Sequence, residues 1–354
     1  MTLDVHAVPV ASVRDSSGRK LLIRMALGVA VGSAFVLVFL RLIDFNSVSA
    51  RLAHLNFAFA ALCGVAFLSA YAVRALRWRC FLAPDRITAK RAIGIYFIAI
   101  FLNWLLPIQG GELAKSGILR RTNGIPVSRS LATVTMDKAM DLFPAIALLV
   151  IVPFAGLQLS GGLWLLLMLP LGLLAVGGLV LGLASWRHER TMTLLAMFLA
   201  VVLPRQLAER LQPFAMGFVD TLLTLFRKPR LLLVAIAYTA VAVAFDALFC
   251  YLAFRAVGTS LSLAVVLYGY TLYNLGYILP TPPAHLGSNE LIGLLIFSGV
   301  FGASRTSVGA MFLFSHPFTG LLMTVTALFC VRAIGLNFRS TLELRSGAEE
   351  LAEA

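Results

Sequence analysis

Long apolar runs separated by short basic clusters dominate this chain of 354 residues. Six of the runs have about the 20 residues that an α-helix needs to cross a bilayer. They are residues 25–43, 57–76, 131–154, 163–184, 231–254 and 307–331. The pattern predicts an all-α polytopic membrane protein with about six transmembrane helices.

Two further apolar stretches, residues 92–121 and 262–302, are interrupted by Gly and Pro. The first contains NWLLPIQGGE at 103–112, and the second contains NLGYILPTPPAHLGSNE at 274–290. Each carries an Asn, a Leu-Pro break, a Gly and a Glu in the same order. Paired interruptions of this kind are typical of transporters built from inverted repeats, because irregular backbone at membrane depth must be sheltered by protein or a wet cavity. We predict two re-entrant or broken helical hairpins related as an inverted repeat, although either stretch could be two short full spans.

Composition supports this class, since 60% of the residues are hydrophobic and only 13% are charged, against about a quarter charged in soluble domains. The net charge of +13 does not indicate a nucleic-acid partner, because Lys and Arg lie in short clusters between apolar runs, as cytoplasmic loops do. With the N-terminus inside, nearly all of them are cytoplasmic. The exceptions are Arg41, Arg51, Lys138, Arg255 and Arg305.

This orientation lets the first interrupted segment enter from the cytoplasm and the second from the opposite face, as an inverted repeat requires. It also predicts a cytoplasmic tail, two membrane halves joined by a cytoplasmic amphipathic connector, and a second cytoplasmic tail. Their boundaries are residues 1–24, 25–184, 185–230, 231–335 and 336–354.

Motifs for catalysis are missing from the sequence, which has no GxSxG, no HExxH and no Walker-type phosphate loop. We therefore expect a protein that is not an enzyme. Four cysteines lie in or beside apolar runs without CxxC spacing, so we expect inert packing residues, no metal and no cofactor. They are Cys63, Cys80, Cys250 and Cys330.

The first candidate binding element is the turn at Gly110 and Gly111, followed by Glu112 and Lys115. Glycine permits tight backbone turns, and a helix that starts there would direct free amides and its positive dipole end at the break. That arrangement suits phosphate, which Lys115 and Arg120 would receive from the cytoplasmic side. The alternative is a cytoplasmic turn with a solvated ion pair.

Charged residues inside the spans are the next candidates. Asp137 and Asp141 share a helix face, and Lys138 is close enough in sequence to pair with Asp141. Such groups usually face a polar interior, either to bind substrate or only to staple helices together. Asp246 has no partner nearby in sequence, so it is either protonated or paired with a cation from another helix.

In the second interrupted segment, Glu290 is the counterpart of Glu112. His316 precedes Pro317 in the last span, where it could relay protons or cap the backbone carbonyls that the proline leaves without a donor. We favour the capping role. The full set of predicted substrate-binding residues is Asn103, Pro107, Gly110, Gly111, Glu112, Lys115, Arg120, Asp137, Lys138, Asp141, Asp246, Asn274, Pro280, Glu290 and His316.

A basic cluster closes the second span, where Arg74, Arg77 and Arg79 surround Trp78. Arginines beside a tryptophan are common anchors at the membrane interface, which is the interpretation we favour. They could also hold anionic headgroups.

The order of several motifs resembles a known family. These are RALRWR at 74–79, LP at 106–107 leading to GELAK at 111–115, LRR at 119–121, MDKAMD at 136–141, and the Pro-rich break before Gly287 and Glu290. Together they resemble the integral-membrane domain of lysylphosphatidylglycerol synthase/flippase proteins, over residues 20–335.

The resemblance implies a lipid translocase domain in the bacterial inner membrane, with two re-entrant elements and without the soluble aminoacyl-transferase domain of the bifunctional members. The family pattern usually has Arg where this chain has Lys115 and Lys138, and often where it has His316. Lysine keeps the charge but lacks the bidentate fork of arginine.

The leading hypothesis is a flippase-like protein that moves a polar or anionic lipid between leaflets, with lipids as its main partners and an unknown oligomeric state. Alternatives are an ion-coupled transporter of a small solute, and a non-transporting partner of a lipid-synthesis enzyme that docks on residues 185–230.

Overall fold

The computed structural model of the protein describes residues 11–83, 85, 87–105, 110–144, 161–275 and 282–335. Within these ranges the chain forms thirteen α-helices and no strand. They are α1 Ala11–Leu42, α2 Phe45–Ala53, α3 Phe57–Phe81, α4 Ala89–Leu105, α5 Gly110–Asn123, α6 Val127–Met140, α7 Gly161–Trp186, α8 His188–Val202, α9 Arg205–Phe226, α10 Pro229–Ala256, α11 Leu263–Leu275, α12 Ser288–Gly293 and α13 Arg305–Ala333. A 3₁₀ turn, Pro283–His285, precedes α12, and a π-helix, Leu294–Val300, continues it.

Three helices, α3, α10 and α13, are long and apolar enough to cross a membrane, with 25, 28 and 29 residues. Two further apolar helix pairs are sharply bent: α1 with α2 by 90°, and α7 with α8 by 105°. The all-α polytopic prediction is therefore confirmed. The predicted span 131–154 is described only as far as residue 144, and it begins within α6.

The core forms where α3 packs along α10 and α13 packs along α4. Trp78, Phe254 and Phe297 are among its fully buried side chains. Cys63 and Cys250 are buried in the same core, and all four cysteines of the chain are free thiols. The predicted packing role of the cysteines thus agrees with their positions.

Both interrupted segments fold back on themselves beside their breaks. Helix α5 returns along α4 so closely that a Cβ on Gly111 would lie 1.9 Å from the carbonyl oxygen of Ala99. Helix α11 packs on the π-helix in a similar way, since a Cβ on Gly269 would lie 2.4 Å from the ring of Phe297. Glycine is needed at both close approaches. The inverted relation of the two segments and the domain boundaries remain predictions.

Candidate functional site

A cavity of about 650 Å³ lies between α3, α4, α6, α10, α11 and α13. Asn103, just before the first break, and Asn274, just before the second, both line it. His285 and Asn289, which follow the second break, line it too. The two interrupted segments therefore contribute polar side chains to one space. Pro107 and Pro280 were predicted for this site and lie outside the described residues.

Ion pairs between helices form the charged wall of the cavity. Arg74 of α3 donates from Nη1 to Asp246 Oδ1 of α10 at 3.1 Å. One turn later, Arg77 donates from Nε to Asp137 Oδ1 at 2.7 Å and from Nη2 to Asp141 Oδ1 at 2.7 Å. Arg77 and Asp137 are completely buried, and buried charges persist when they are paired and hydrogen-bonded. The two arginines thus join α3 to α10 and to the end of α6.

The interpretation of these arginines as interface anchors was wrong. Arg74 and Arg77 face acidic groups of other helices, and Trp78 is buried, where it donates to Thr133 Oγ1 of α6 at 3.2 Å. The interpretation failed because the partners lie about 60 and 172 positions away in sequence. The usable signal was Arg74 itself, since it lay inside the predicted span 57–76 as a charged residue, just as Asp246 lay inside the span 231–254. Of the two alternatives for Asp246, pairing with a distant cation is confirmed.

Glu112 joins the first hairpin to α6. Its Oε2 lies 2.8 Å from Lys115 Nζ, and its Oε1 lies 3.1 Å from Lys138 Nζ. Asn103 donates from Nδ2 to Oε1 at 3.1 Å and accepts at Oδ1 from the Gly111 amide at 2.8 Å. The predicted pairing of Lys138 with Asp141 is corrected, because Glu112 takes this lysine and Asp141 takes an arginine. The solvated-turn alternative is also wrong, since the Glu112 side chain is only 14% exposed.

Lys115 lies behind the cavity rather than in its wall. Its side chain is 1% exposed, and its ammonium group sits 3.9 Å from the ring centroid of Tyr96 and 5.3 Å from that of Trp78. Aromatic faces attract a cation, which offsets part of the cost of burying it. Tyr96 in turn donates to Asp137 Oδ2 at 3.3 Å. Arg120, in the last turn of α5, is exposed and is not part of the cavity lining.

The second hairpin has its own polar contact, between Glu290 and His316. Glu290 is the third residue of α12, as Glu112 is of α5. His316 Nδ1 lies 2.6 Å from Glu290 Oε1, and His316 Nε2 lies 2.8 Å from the carbonyl oxygen of Ala284. The predicted capping of carbonyls freed by Pro317 is corrected, because both ring nitrogens bond to the hairpin rather than to α13.

Sequence reasoning missed the aromatic part of the wall. Tyr71, Tyr96, Tyr270 and Tyr273 line the cavity and come from α3, α4 and α11. No spacing distinguishes them from core aromatics, because they come together only through helix packing. In the ranges described, no group of three His, Cys, Asp or Glu side chains is placed to hold a metal. The arrangement can therefore bind a polar group through paired charges, amides and phenols.

Among known families, the model of the lysylphosphatidylglycerol synthase TM region matches residues 25–327 of the chain. The matched range includes every cavity residue named above. No curated protein matches the chain, and neither does any solved structure.

Proposed function

The chain belongs to the lysylphosphatidylglycerol synthase TM region family, and from that premise we propose that it is a lipid translocase that moves a polar lipid between the two leaflets. The family links this multi-pass membrane protein to membrane lipids. The observation that carries the finer proposal is the cavity, which polar residues of both interrupted segments line. We further propose that the protein lies in the inner membrane with both termini in the cytoplasm, as the distribution of Lys and Arg favours.

The size of the cavity favours a headgroup as its occupant. About 650 Å³ lies within the range of ligand pockets, which are about 300–1,000 Å³. A headgroup fits such a space while the acyl chains stay in the bilayer, where they lose no hydrophobic stabilisation. Transfer of the headgroup through a polar space avoids exposing it to hydrocarbon, which is the main cost of lipid flipping.

The charges around the cavity favour a headgroup that carries both signs. In the part of the chain that the structure describes, the linked network has four cations and four anions. They are Arg74, Arg77, Lys115, Lys138, Glu112, Asp137, Asp141 and Asp246. A balanced network has no excess positive charge to attract a simple anion. A zwitterion can separate one ion pair of the network and bind its cation through the phosphate and its carboxylate through the ammonium group.

Within this network, Lys138 is the best-placed phosphate ligand. Its side chain is 46% exposed and lines the cavity. Its ammonium group pairs with one oxygen of Glu112. Arg74 and Asp246 also line the cavity, where Arg74 can receive a phosphate and Asp246 an ammonium. We propose Lys115, Gly110, Gly111 and Asp137 as supporting residues that fix the first hairpin and α6, since none of them lines the cavity. Catalysis has no part in this proposal.

Reconstitution into liposomes tests the proposal. Fluorescent phosphatidylethanolamine with a short labelled chain is placed in both leaflets, and dithionite added outside destroys the outer label. We expect wild-type protein to make nearly all of the label accessible to dithionite. Lys138→Ala should lower the rate of this exposure at least about tenfold, because the headgroup loses one charge-assisted contact. The control is Arg205→Ala, because Arg205 is 92% exposed on α9 and lies away from the cavity.

The alternatives give different results in the same liposomes. A solute carrier would take up a labelled amino acid or sugar while the lipid label stays protected. A non-transporting partner would do neither, and would be recovered with a lipid-synthesis enzyme through α8 and α9. Protection of half the label in wild-type vesicles would therefore refute the translocase proposal.

A further inference from the structure

The contact between Glu290 and His316 requires a shared proton. A carbonyl oxygen only accepts, so the 2.8 Å contact to Ala284 places a hydrogen on His316 Nε2. The 2.6 Å contact between Nδ1 and Glu290 Oε1 needs a second hydrogen, whichever atom carries it. The pair therefore holds one proton more than a neutral imidazole beside a carboxylate would hold.

Loss of that proton would break one of the two contacts of His316. The ring nitrogen left without a hydrogen would present its lone pair to an oxygen, either Glu290 Oε1 at 2.6 Å or the Ala284 carbonyl at 2.8 Å, and Glu290 would remain a buried carboxylate without its cation. Both side chains are only 8% exposed, and the cavity that His316 lines is a route by which water can reach the pair after a shift of either group. Proton release is thus linked to a change in the position of α12, of His316, or of both.

The turn before α12 is attached to the same histidine. Ala284 and His285 both have φ of 53°, a left-handed conformation that residues with a side chain adopt at a cost. The bond from His316 Nε2 to the Ala284 carbonyl helps to hold this turn. His285 and His316 also line the cavity, so a change in the turn changes the space that receives the headgroup.

The other acids of the site have partners that do not exchange protons near neutral pH. Asp246 and Asp141 face arginines, and Glu112 faces lysines, whereas Glu290 faces a histidine, the residue type that proteins use most often to carry protons. The titratable group of the turn, His285, interacts with both members of the pair. Charged and phenolic groups of the other elements line the same cavity as His316. They are Arg74, Arg77, Tyr71, Tyr96, Lys138, Asp141, Asp246, Tyr270 and Tyr273.

We propose that Glu290 and His316 form a proton-binding site that couples lipid translocation to the proton gradient, with one proton per lipid. This inference rests on the proposed function and names its energy source. When the pair is protonated, the hairpin is held against α13. When the proton leaves to the side of lower proton concentration, the hairpin is released and the cavity changes its access.

The test uses the full chain in liposomes with a pH difference of one unit and the membrane potential clamped at zero by valinomycin and equal potassium. One proton per lipid predicts a steady-state ratio of labelled lipid between leaflets of about ten, because one pH unit is a tenfold driving force. We expect Glu290→Gln and His316→Gln to lower this ratio to about one. The matched controls Glu209→Gln and His54→Gln change exposed residues and should keep the ratio of ten.

Each outcome separates the coupling from the translocase function. Suppose that wild-type protein moves lipid between the leaflets but the lipid ratio stays at one under the pH gradient. This result would overturn the coupling and leave the translocase function standing. If no lipid moves under any condition, the translocase proposal fails, and the coupling fails with it. Because the first result needs only wild-type protein, misfolding of a variant does not prevent the test.

Discussion

The substitution Arg77→Met tests whether the buried ion network holds the membrane helices together. Arg77 donates to Asp137 at 2.7 Å, to Asp141 at 2.7 Å and to Thr239 at 2.9 Å, which joins α3 to α6 and α10. Methionine fills much of the same volume and is tolerated in helices, so the change removes the charge with little loss of packing.

The expected loss follows from the burial of the partner. Asp137 is completely buried and would lose its cation, and breaking a buried pair from one side costs about 3–5 kcal/mol. That corresponds to roughly two to four orders of magnitude in the unfolding equilibrium constant. An anchor at the membrane surface, by contrast, would cost only a few tenths of a kcal/mol.

Denaturant titration in detergent micelles, followed by tryptophan fluorescence, measures the free energy of unfolding for each variant. Arg205→Met serves as the control, since Arg205 forms an exposed pair with Glu209. The double variant Arg77→Met/Asp137→Asn should be less destabilised than the sum of the single variants, by about 1–3 kcal/mol, because it leaves no buried charge unpaired. A loss for Arg77→Met within about 0.5 kcal/mol of the control would refute the network.

Three further expectations follow from the hairpins and from α8. Gly111→Ala should destabilise the protein by about 1–3 kcal/mol or more, because its Cβ would lie 1.9 Å from a carbonyl oxygen of α4. The control is Gly177→Ala, whose Cβ meets nothing within 4 Å, so this change should be neutral or stabilising. Thermal unfolding measures both variants. Glu112→Gln should slow lipid flipping at least about tenfold, because one amide cannot hold two lysines; an unchanged rate would contradict its role. A fluorophore at Val201→Cys on α8, where the side chain is 84% exposed, should be quenched by lipid-soluble quenchers, and one at Glu189→Cys should respond to aqueous iodide.

The sequence predicted the helices better than their ends. The run 57–76 became a helix that continues to Phe81, because its last turn is not a surface cap but part of the buried network. Apolar length is a local property, so it can be counted along the chain. The residue at which the lipid-facing part of a helix ends depends on which helix packs beside it. A local sequence pattern does not identify that neighbouring helix.

The structure brings several of the predicted site residues together, and their role in substrate binding stays a prediction. Asn103, Lys138, Asp141 and Asp246 line the cavity, whereas Lys115 lies behind an aromatic layer. Charged residues in a span are costly enough to mark a site, so their presence is readable from sequence. Their partners are not, because pairing between α3 and α10 depends on the register with which the two helices pack.

The two glutamates at the third position of α5 and α12 show how one local arrangement can serve two purposes. Glu112 is held by two lysines, so the first hairpin stays fixed to α6. Glu290 is held by a histidine, the residue type that proteins use most often to carry protons. If the first hairpin is the fixed wall and the second is the movable one, exchanging the partners should exchange the behaviour. His316→Lys should then leave lipid flipping insensitive to a pH gradient, and Lys138→His should introduce sensitivity at the first hairpin. A gradient response that survives His316→Lys in liposomes would contradict this division of roles.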